Sequence, residues 1–409
     1  MSVISAARSL WRAIAPTGLR CAAQPLLGRG LEAYVRTVAR RPHGAEGTQG
    51  PIRVAGYLSE THGIAASAKL AIRAFEALGA SVEPVDVTGA QLDWSGRLTA
   101  PGPASAWIFH LNPPELLAAL AYLGPSRLAG PRYGYWAWEL PRAPARWLKD
   151  GALVDEIWAP SRYTAQALAG AAAPVRVVPH PLFLEDYAGV TPSPRASGFQ
   201  AVALFDFKSS AARKNPQGAI TAFARAFGED PAAALCIKTQ NGEAFPAELA
   251  RLRAMAPANV EIVDGSWPYA RVLALIAGAD VLISLHRAEG FGLAMAEAMA
   301  LGTPVIATGH SGNLDFMDDD CAVLVPAGQV AVDDPQAIYG AGQTWGDPDL
   351  DAAARGLRGL RADGGRAAAL AREGRRRVAE RLSPQAWFAT LPTQVQDAAR
   401  RAGAKVDPT

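Results

Sequence analysis

From Ile52 onward, short apolar runs alternate with amphipathic segments. This alternation predicts repeated strand–helix–strand units built around parallel sheets, an α/β class of fold. In the first half the pattern predicts strands at Ile52–Leu58, Val82–Val87, Ala106–Phe109, Tyr133–Trp138, Glu156–Ala159 and Val175–Val178. Helices are expected between them at Ala65–Leu78, at Pro113–Tyr122 with proline at its start, and at Arg162–Leu168. Pro179, Pro181, Pro192 and Pro194 then crowd an aperiodic stretch, read as an interdomain linker at 183–198. The alternation restarts with strands predicted at Ala201–Phe207, Ala234–Lys238, Val260–Val263, Val281–Leu285, Val305–Ala307 and Ala322–Val325. After about Asp333 the pattern reads as helical, and Gly365–Leu382 carries no strand signal.

Two doubly wound parallel-sheet halves in tandem follow from this pattern. The expected boundaries are a basic extension at 1–50, a first Rossmann-like domain at 51–182, the linker, a second Rossmann-like domain at 199–380, and a helix and tail at 381–409. A return of that tail to the first domain is one course open to it. Ligands of such sheets sit outside the carboxyl ends of the strands, so a cleft between the halves is the natural site.

Composition narrows the function classes. Half of the 409 residues are hydrophobic, which allows sizeable cores and excludes bulk disorder. A net charge of +2 argues against a general nucleic-acid binder. Cys21, Cys236 and Cys321 lie far apart, so neither a zinc site nor a disulfide framework is indicated, and a reducing cytoplasm fits. No apolar run approaches the ~20 residues of a membrane-spanning helix. The first fifty residues hold seven arginines against Glu32 and Glu46, with Leu10, Trp11 and Ile14 at helical spacing. One reading is a basic amphipathic segment in peripheral contact with an anionic membrane. The other, slightly favoured, is a solvated extension or a helix packed on the body.

The densest chemical signal is Leu285-His-Arg-Ala-Glu289-Gly-Phe-Gly-Leu-Ala-Met-Ala-Glu297. It starts at the end of a strong apolar strand, turns at Gly290 and Gly292, and enters a helix near Leu293. A glycine turn feeding a helix N-terminus offers backbone N–H groups and a positive dipole end to a diphosphate. A carboxylate one turn into that helix can accept hydrogen bonds from sugar hydroxyls. By itself, a strand–turn–helix with surface glutamates is equally ordinary.

The combination is more specific. Glu289-Gly-Phe-Gly-Leu with a second glutamate eight residues on resembles the signature of the family-4 retaining glycosyltransferases (glycosyl transferases group 1, GT-B fold). Ala300–Ala307, Ser311-Gly-Asn-Leu-Asp-Phe316, Phe205-Asp-Phe207, Arg213-Lys-Asn-Pro216, Tyr135–Pro141 and Trp158-Ala-Pro-Ser-Arg162 extend the resemblance over about 52–330. It implies two Rossmann-like domains facing across a cleft. It implies transfer of a hexose, mannose or glucose type, from a GDP- or UDP-linked donor to a glycan or lipid-linked saccharide, in cell-surface polysaccharide assembly.

The resemblance also implies roles. Glu289 contacts the transferred sugar, the amides of Gly290, Phe291, Gly292 and Leu293 face sugar and phosphates, Glu297 holds the ribose, and Lys214 neutralises the diphosphate. Relatives place an arginine six residues before this lysine; that position is Lys208 here, and Arg213 is preferred as the second cation, with Lys208 in reserve. Gly63 falls where the family has a glycine turn near phosphate or acceptor, and His110 where it has a histidine near the donor sugar. Glu139 is open between contact with acceptor or nucleotide and packing among the nearby tryptophans, His62 reads as incidental, and His180 and His286 read as structural. Retention with the second glutamate at the ribose implies front-face substitution rather than a two-carboxylate mechanism. No cofactor and no metal are expected, because fixed cations can do the charge work; Asp318, Asp319 and Asp320 read as a solvated turn. The competing readings are an inactive nucleotide-sugar-binding partner subunit and a nucleotide-sugar epimerase of the same fold.

Overall fold

Central strands of parallel sheets are buried on both faces, so they read as unbroken apolar runs. Twelve strands, the inner ones mostly buried and the edge ones less so, form two six-stranded parallel sheets in the computed structural model, which describes residues 30, 32–39, 49–60, 63–92, 102–125, 128–194 and 198–403. The first sheet holds β1 (Ile52–Gly56), β2 (Val82–Asp86), β3 (Ala106–Phe109), β4 (Arg132–Tyr135), β5 (Glu156–Ala159) and β6 (Val175–Val177), in the order β2-β1-β3-β4-β5-β6. The second holds β7 (Phe199–Leu204), β8 (Ala233–Thr239), β9 (Val260–Asp264), β10 (Val281–Ser284), β11 (Val305–Thr308) and β12 (Val323–Val325), in the order β12-β11-β10-β7-β8-β9. Each strand lies within a few residues of a predicted run. Each order reverses direction once, between β1 and β3 and between β7 and β10. Those switch points, at the strand carboxyl ends, are where open α/β sheets leave a crevice for ligands.

The chain passes between the domains twice. The stretch read as linker contains the short helix Leu184–Ala188 with Tyr187 buried. Beside it the Leu182 amide donates to the Leu382 carbonyl at 2.6 Å, tying the outgoing and returning segments together. Beyond that point the helix Pro384–Thr390 lies on the helix Gly63–Ala77, and Trp387 meets Phe75 edge-on at 5.0 Å. Trp387, Leu391 and Val395 are buried in the same core as Ile52, Val54 and Ile108. Burying one large aromatic side chain contributes on the order of 4–6 kcal/mol of apolar burial, so the returning segment is a structural part of the first domain.

Residues 1–29, and with them the proposed membrane-facing segment, lie outside the described residues. The helix over 32–39 packs on the first domain: Val35 and Ala39 are buried in its core, and the Arg36 Nε donates to Asp150 Oδ1 at 2.7 Å. No described helix is long and apolar enough to cross a membrane.

One element departs from the pattern. Where a helical continuation is expected after Asp333, the chain forms an antiparallel hairpin of β13 (Ala327–Ala331) and β14 (Thr344–Pro348). Its segments, AGQVA and TWGDP, contain glycine, aspartate and proline and little β-branched residue, so local propensity is silent. Tertiary contacts, described below, hold it instead.

Candidate active site at the facing switch points

The second sheet's switch point is built by the segments that leave β7 and β10. After β7, Ser210 caps a single helical turn, Ala211–Lys214, with its hydroxyl accepting from the Arg213 amide at 3.1 Å. Asn215 then adopts a left-handed conformation (φ 52°), accepts from the Gly218 amide at 3.1 Å and donates through Nδ2 to the Leu285 carbonyl at 2.8 Å. Pro216 opens the next helix. The Arg-Lys-Asn-Pro motif is thus a bend that pins the two cations against the end of β10.

After β10, the segment 285–292 crosses in front of that bend. The Arg287 amide donates to the Arg213 carbonyl at 2.7 Å, the Glu289 amide to Ser311 Oγ at 2.8 Å, and the Gly312 amide to the Glu289 carbonyl at 2.9 Å. Gly292 has φ 103° and starts the helix Leu293–Leu301 with no side-chain cap. An uncapped N-terminus presents amides and the positive dipole end to an anion.

Glu289 is buried, and its carboxylate pairs with Lys214 Nζ and with Arg213 Nη1, the latter at 3.2 Å. Burial would push its carboxyl up, but Lys214 and Arg213 beside it hold it down to about 2. The two cations are not equivalent. Arg213 is buried: Nη1 donates to the Ala288 carbonyl at 2.8 Å and Nη2 to the Ser209 carbonyl at 3.0 Å. The Lys214 side chain keeps about a quarter of its surface exposed, so it is the member of the pair that meets solvent. Lys208 is exposed nearby.

Glu297 accepts a hydrogen bond from the Tyr269 hydroxyl at 2.5 Å, and its desolvated setting pushes its carboxyl up to about 7. Phe291 is buried, 4.9 Å from Phe316 and edge-on to His180 at 4.8 Å.

The first sheet's switch point faces this turn. His110 follows β3, and its amide donates to the Ala55 carbonyl at 2.9 Å. Its Nδ1 bonds the Ser67 hydroxyl at 2.8 Å, its ring stacks on Tyr135 at 4.5 Å, and its buried Nε2 has no protein partner. Burial, with a smaller push from His180, lowers it to about 3, so it is neutral and Nε2 is left for a ligand. Gly63 opens the helix that carries Ser67 and is exposed at this rim. His62 lies outside the described residues.

His180 and His286 are buried among protein partners. His180 bonds the Tyr135 hydroxyl at 3.3 Å. His286 meets Ser284 Oγ at 3.0 Å, and its Nε2 lies 3.2 Å from both the His310 carbonyl and Asn313 Oδ1. Glu139 reaches the second domain, accepting from the Tyr339 hydroxyl at 2.9 Å. Asp318, at the start of the acidic turn, pairs with Arg377 of the helix Gly364–Leu382.

Several residues of the site had no role in the sequence reading. Ser161 and Ser311 fall within quoted motifs, so their signal was present without a function attached. Tyr269 and Tyr339 gave none, because their partners Glu297 and Glu139 lie 28 and 200 residues away in the chain.

The fold, and part of the second domain's sequence, are similar to those of known proteins. Residues 207–332 match the family model of glycosyl transferases group 1. No curated protein matches in sequence. Among solved structures, sucrose-phosphate synthase from Thermosynechococcus elongatus is similar with a TM-score of 0.62 and 16% identity, over 87% of this chain and 100% of that one. Anabaena HepE in complex with UDP and glucose gives 0.59 and 14%, over 87% and 100%. A variant of S. aureus TarM, in complex with fondaparinux, α-GlcNAc-glycerol and UDP, gives 0.52 and 11%. That match covers 72% of this chain, which spans only 55% of the TarM chain. The fold is GT-B, and the family match over the second domain supports a GT-B glycosyltransferase.

Proposed function

We propose that the protein is a retaining glycosyltransferase that moves a hexose from a nucleoside diphosphate to a hydroxyl of a glycan or lipid-linked saccharide, in the assembly of cell-surface polysaccharide. The observation that carries this reading is the cluster of Lys214, Arg213 and Glu289 at one switch point, with His110 at the facing one. In this reading Lys214 and the amides of Gly290, Phe291, Gly292 and Leu293 take the diphosphate. Glu297 exchanges its Tyr269 bond for ribose hydroxyls. Glu289 orients the sugar, Arg213 keeps that carboxylate ionised from behind, and Gly63 and the His110 Nε2 contact donor or acceptor from the other side.

The reaction is a front-face substitution. The bond from the anomeric carbon to the diphosphate oxygen breaks, with charge developing on the leaving oxygen near Lys214 and the helix N-terminus. The acceptor oxygen bonds the anomeric carbon on the same face, and its proton passes to the departing phosphate. Fixed cations do this work without a metal. The HepE and TarM complexes contain UDP, which makes UDP the first nucleotide to test and GDP the second.

The test is thermal melting of the purified protein with saturating UDP, GDP or ADP and no added metal. A ligand that binds only the native state raises the melting temperature. A rise with UDP or GDP that disappears in Lys214→Ala and Glu297→Ala supports the reading; a cooperative melt that no nucleotide shifts overturns it. Conversion of the donor in the absence of any acceptor would instead indicate an epimerase.

A further inference from the structure

We propose that the hairpin 327–348 is a strap across the cleft, and that Tyr339 is a positioning residue that couples closure of the two domains to the carboxylate–cation pair. The role given to that pair rests on the proposed transferase reading; the strap itself does not.

The hairpin is fastened on the second domain's side to the bend that carries the cations. Asp334 accepts from Ser210 Oγ at 2.9 Å and from the amides of Ile338 and Tyr339 at 2.9 and 3.1 Å. Gln336 accepts from the Ala211 amide at 2.7 Å and donates to the Phe207 carbonyl at 2.6 Å. The Gly346 amide donates to the Arg287 carbonyl at 2.7 Å. Any movement of the hairpin therefore pulls on both walls of the cation site.

The loop between its strands also reaches the first domain. Gln343 accepts from the Arg142 amide at 2.8 Å and donates to the Arg142 carbonyl at 3.1 Å, and Arg142 Nη2 donates to the Gly342 carbonyl at 3.0 Å. Leu140 of the first domain is fully buried with Ala288, Val332, Tyr339 and Trp345 of the second. This is a small apolar cluster ringed by hydrogen bonds, the anatomy of a domain interface.

Tyr339 joins the two sides. Its hydroxyl donates to Glu139 Oε2 of the first domain at 2.9 Å, and its ring lies 5.9 Å from the Arg213 guanidinium of the second. Trp138 meets the same ring edge-on at 5.7 Å. Arg213 thus pairs with Glu289 and faces the ring whose hydroxyl holds Glu139. The hydroxyl keeps Glu139 engaged when the domains are closed, so that Arg213 is left to Glu289.

Hydrogen exchange of the full chain, wild type against Tyr339→Phe and the milder Gln343→Ala, tests the strap. Segments 138–143 and 332–345 should lose protection together while β7 and β10 keep theirs; unchanged protection at 138–143 in both variants would overturn the proposal. The coupling is read from kinetics. Tyr339→Phe should lower kcat about tenfold and leave the nucleotide Kd within about twofold, and Glu139→Ala should add no further loss to it. Losses that multiply in the double variant, or an unchanged kcat, would remove the coupling. Failure of the transferase reading would instead show as absence of nucleotide binding in the wild type, with the exchange result intact.

Discussion

The hydroxyl of Ser161, in the first domain, donates to the carbonyl oxygen of Gly290, in the second, at 2.6 Å. Ser161 also caps the helix Arg162–Ala167, accepting from the Thr164 amide at 3.2 Å. Beside it, the Arg162 amide donates to Asp315 at 2.8 Å. The glycine turn that follows Glu289 is therefore gripped by the opposite domain, and its shape depends on how the domains meet. Ser161→Ala removes a cap and an interdomain bond at once. It should cost about 1–2 kcal/mol in denaturant unfolding. Turnover and nucleotide affinity should both fall, because the amides of this turn take the diphosphate in the proposed reading; an affinity equal to wild type would show that the contact does not act on the turn.

Glu289→Gln keeps the shape of the side chain and removes the charge that Lys214 and Arg213 share. Turnover with a UDP- or GDP-sugar should fall at least ~100-fold, with nucleotide binding retained. The same variant tests acid stability. The native carboxyl is held at about 2, below its ordinary 4.5. Its contribution is complete above 4.5 and is lost as pH falls toward 2. In Glu289→Gln that part of the acid-induced loss should disappear; an unaltered acid profile together with full turnover would refute the assignment.

Glu297 gives the opposite sign. Burial raises its native carboxyl to about 7 from 4.5, so its contribution to stability is complete below 4.5 and is lost as pH rises through 7. Ribose hydroxyls donate to the ionised form, so nucleotide affinity should increase from pH 6 to pH 8. Titration calorimetry of UDP against wild type and Glu297→Gln checks this. The steepening with pH should vanish in the variant; identical pH profiles would show that Glu297 does not hold the ribose.

Gly312 has no room for a side chain. A Cβ there would lie 2.2 Å from the Gly290 carbonyl oxygen and 2.9 Å from that of Glu289, both backbone atoms that cannot swing aside. Gly312→Ala should destabilise the fold by about 1–3 kcal/mol and displace the donor turn. A melting temperature and nucleotide affinity both equal to wild type would contradict this packing.

The sequence by itself determined the two sheets. Central strands buried on both faces must be largely apolar, so the runs between Ile52 and Val325 announce the α/β architecture, and twelve strands form there, including more exposed edge strands such as β2 and β9. It also held the candidate chemistry of the second domain, because Arg213–Pro216 and Glu289–Glu297 are contiguous motifs, though contacts as distant as Leu285 and Ser161 fix their bends. Tertiary structure alone decided the rest. The division of labour between Arg213 and Lys214 depends on which faces the Ala288 and Ser209 carbonyls, and neighbouring residues of identical charge do not reveal that. The hairpin 327–348 has weak β propensity and forms because Asp334, Gln336 and Gln343 find partners in both domains. The grip of Ser161 on Gly290 and of Glu139 on Tyr339 joins residues 129 and 200 positions apart. Contacts at that separation leave no periodic trace in a sequence, since they follow from how two independently folded sheets are placed face to face.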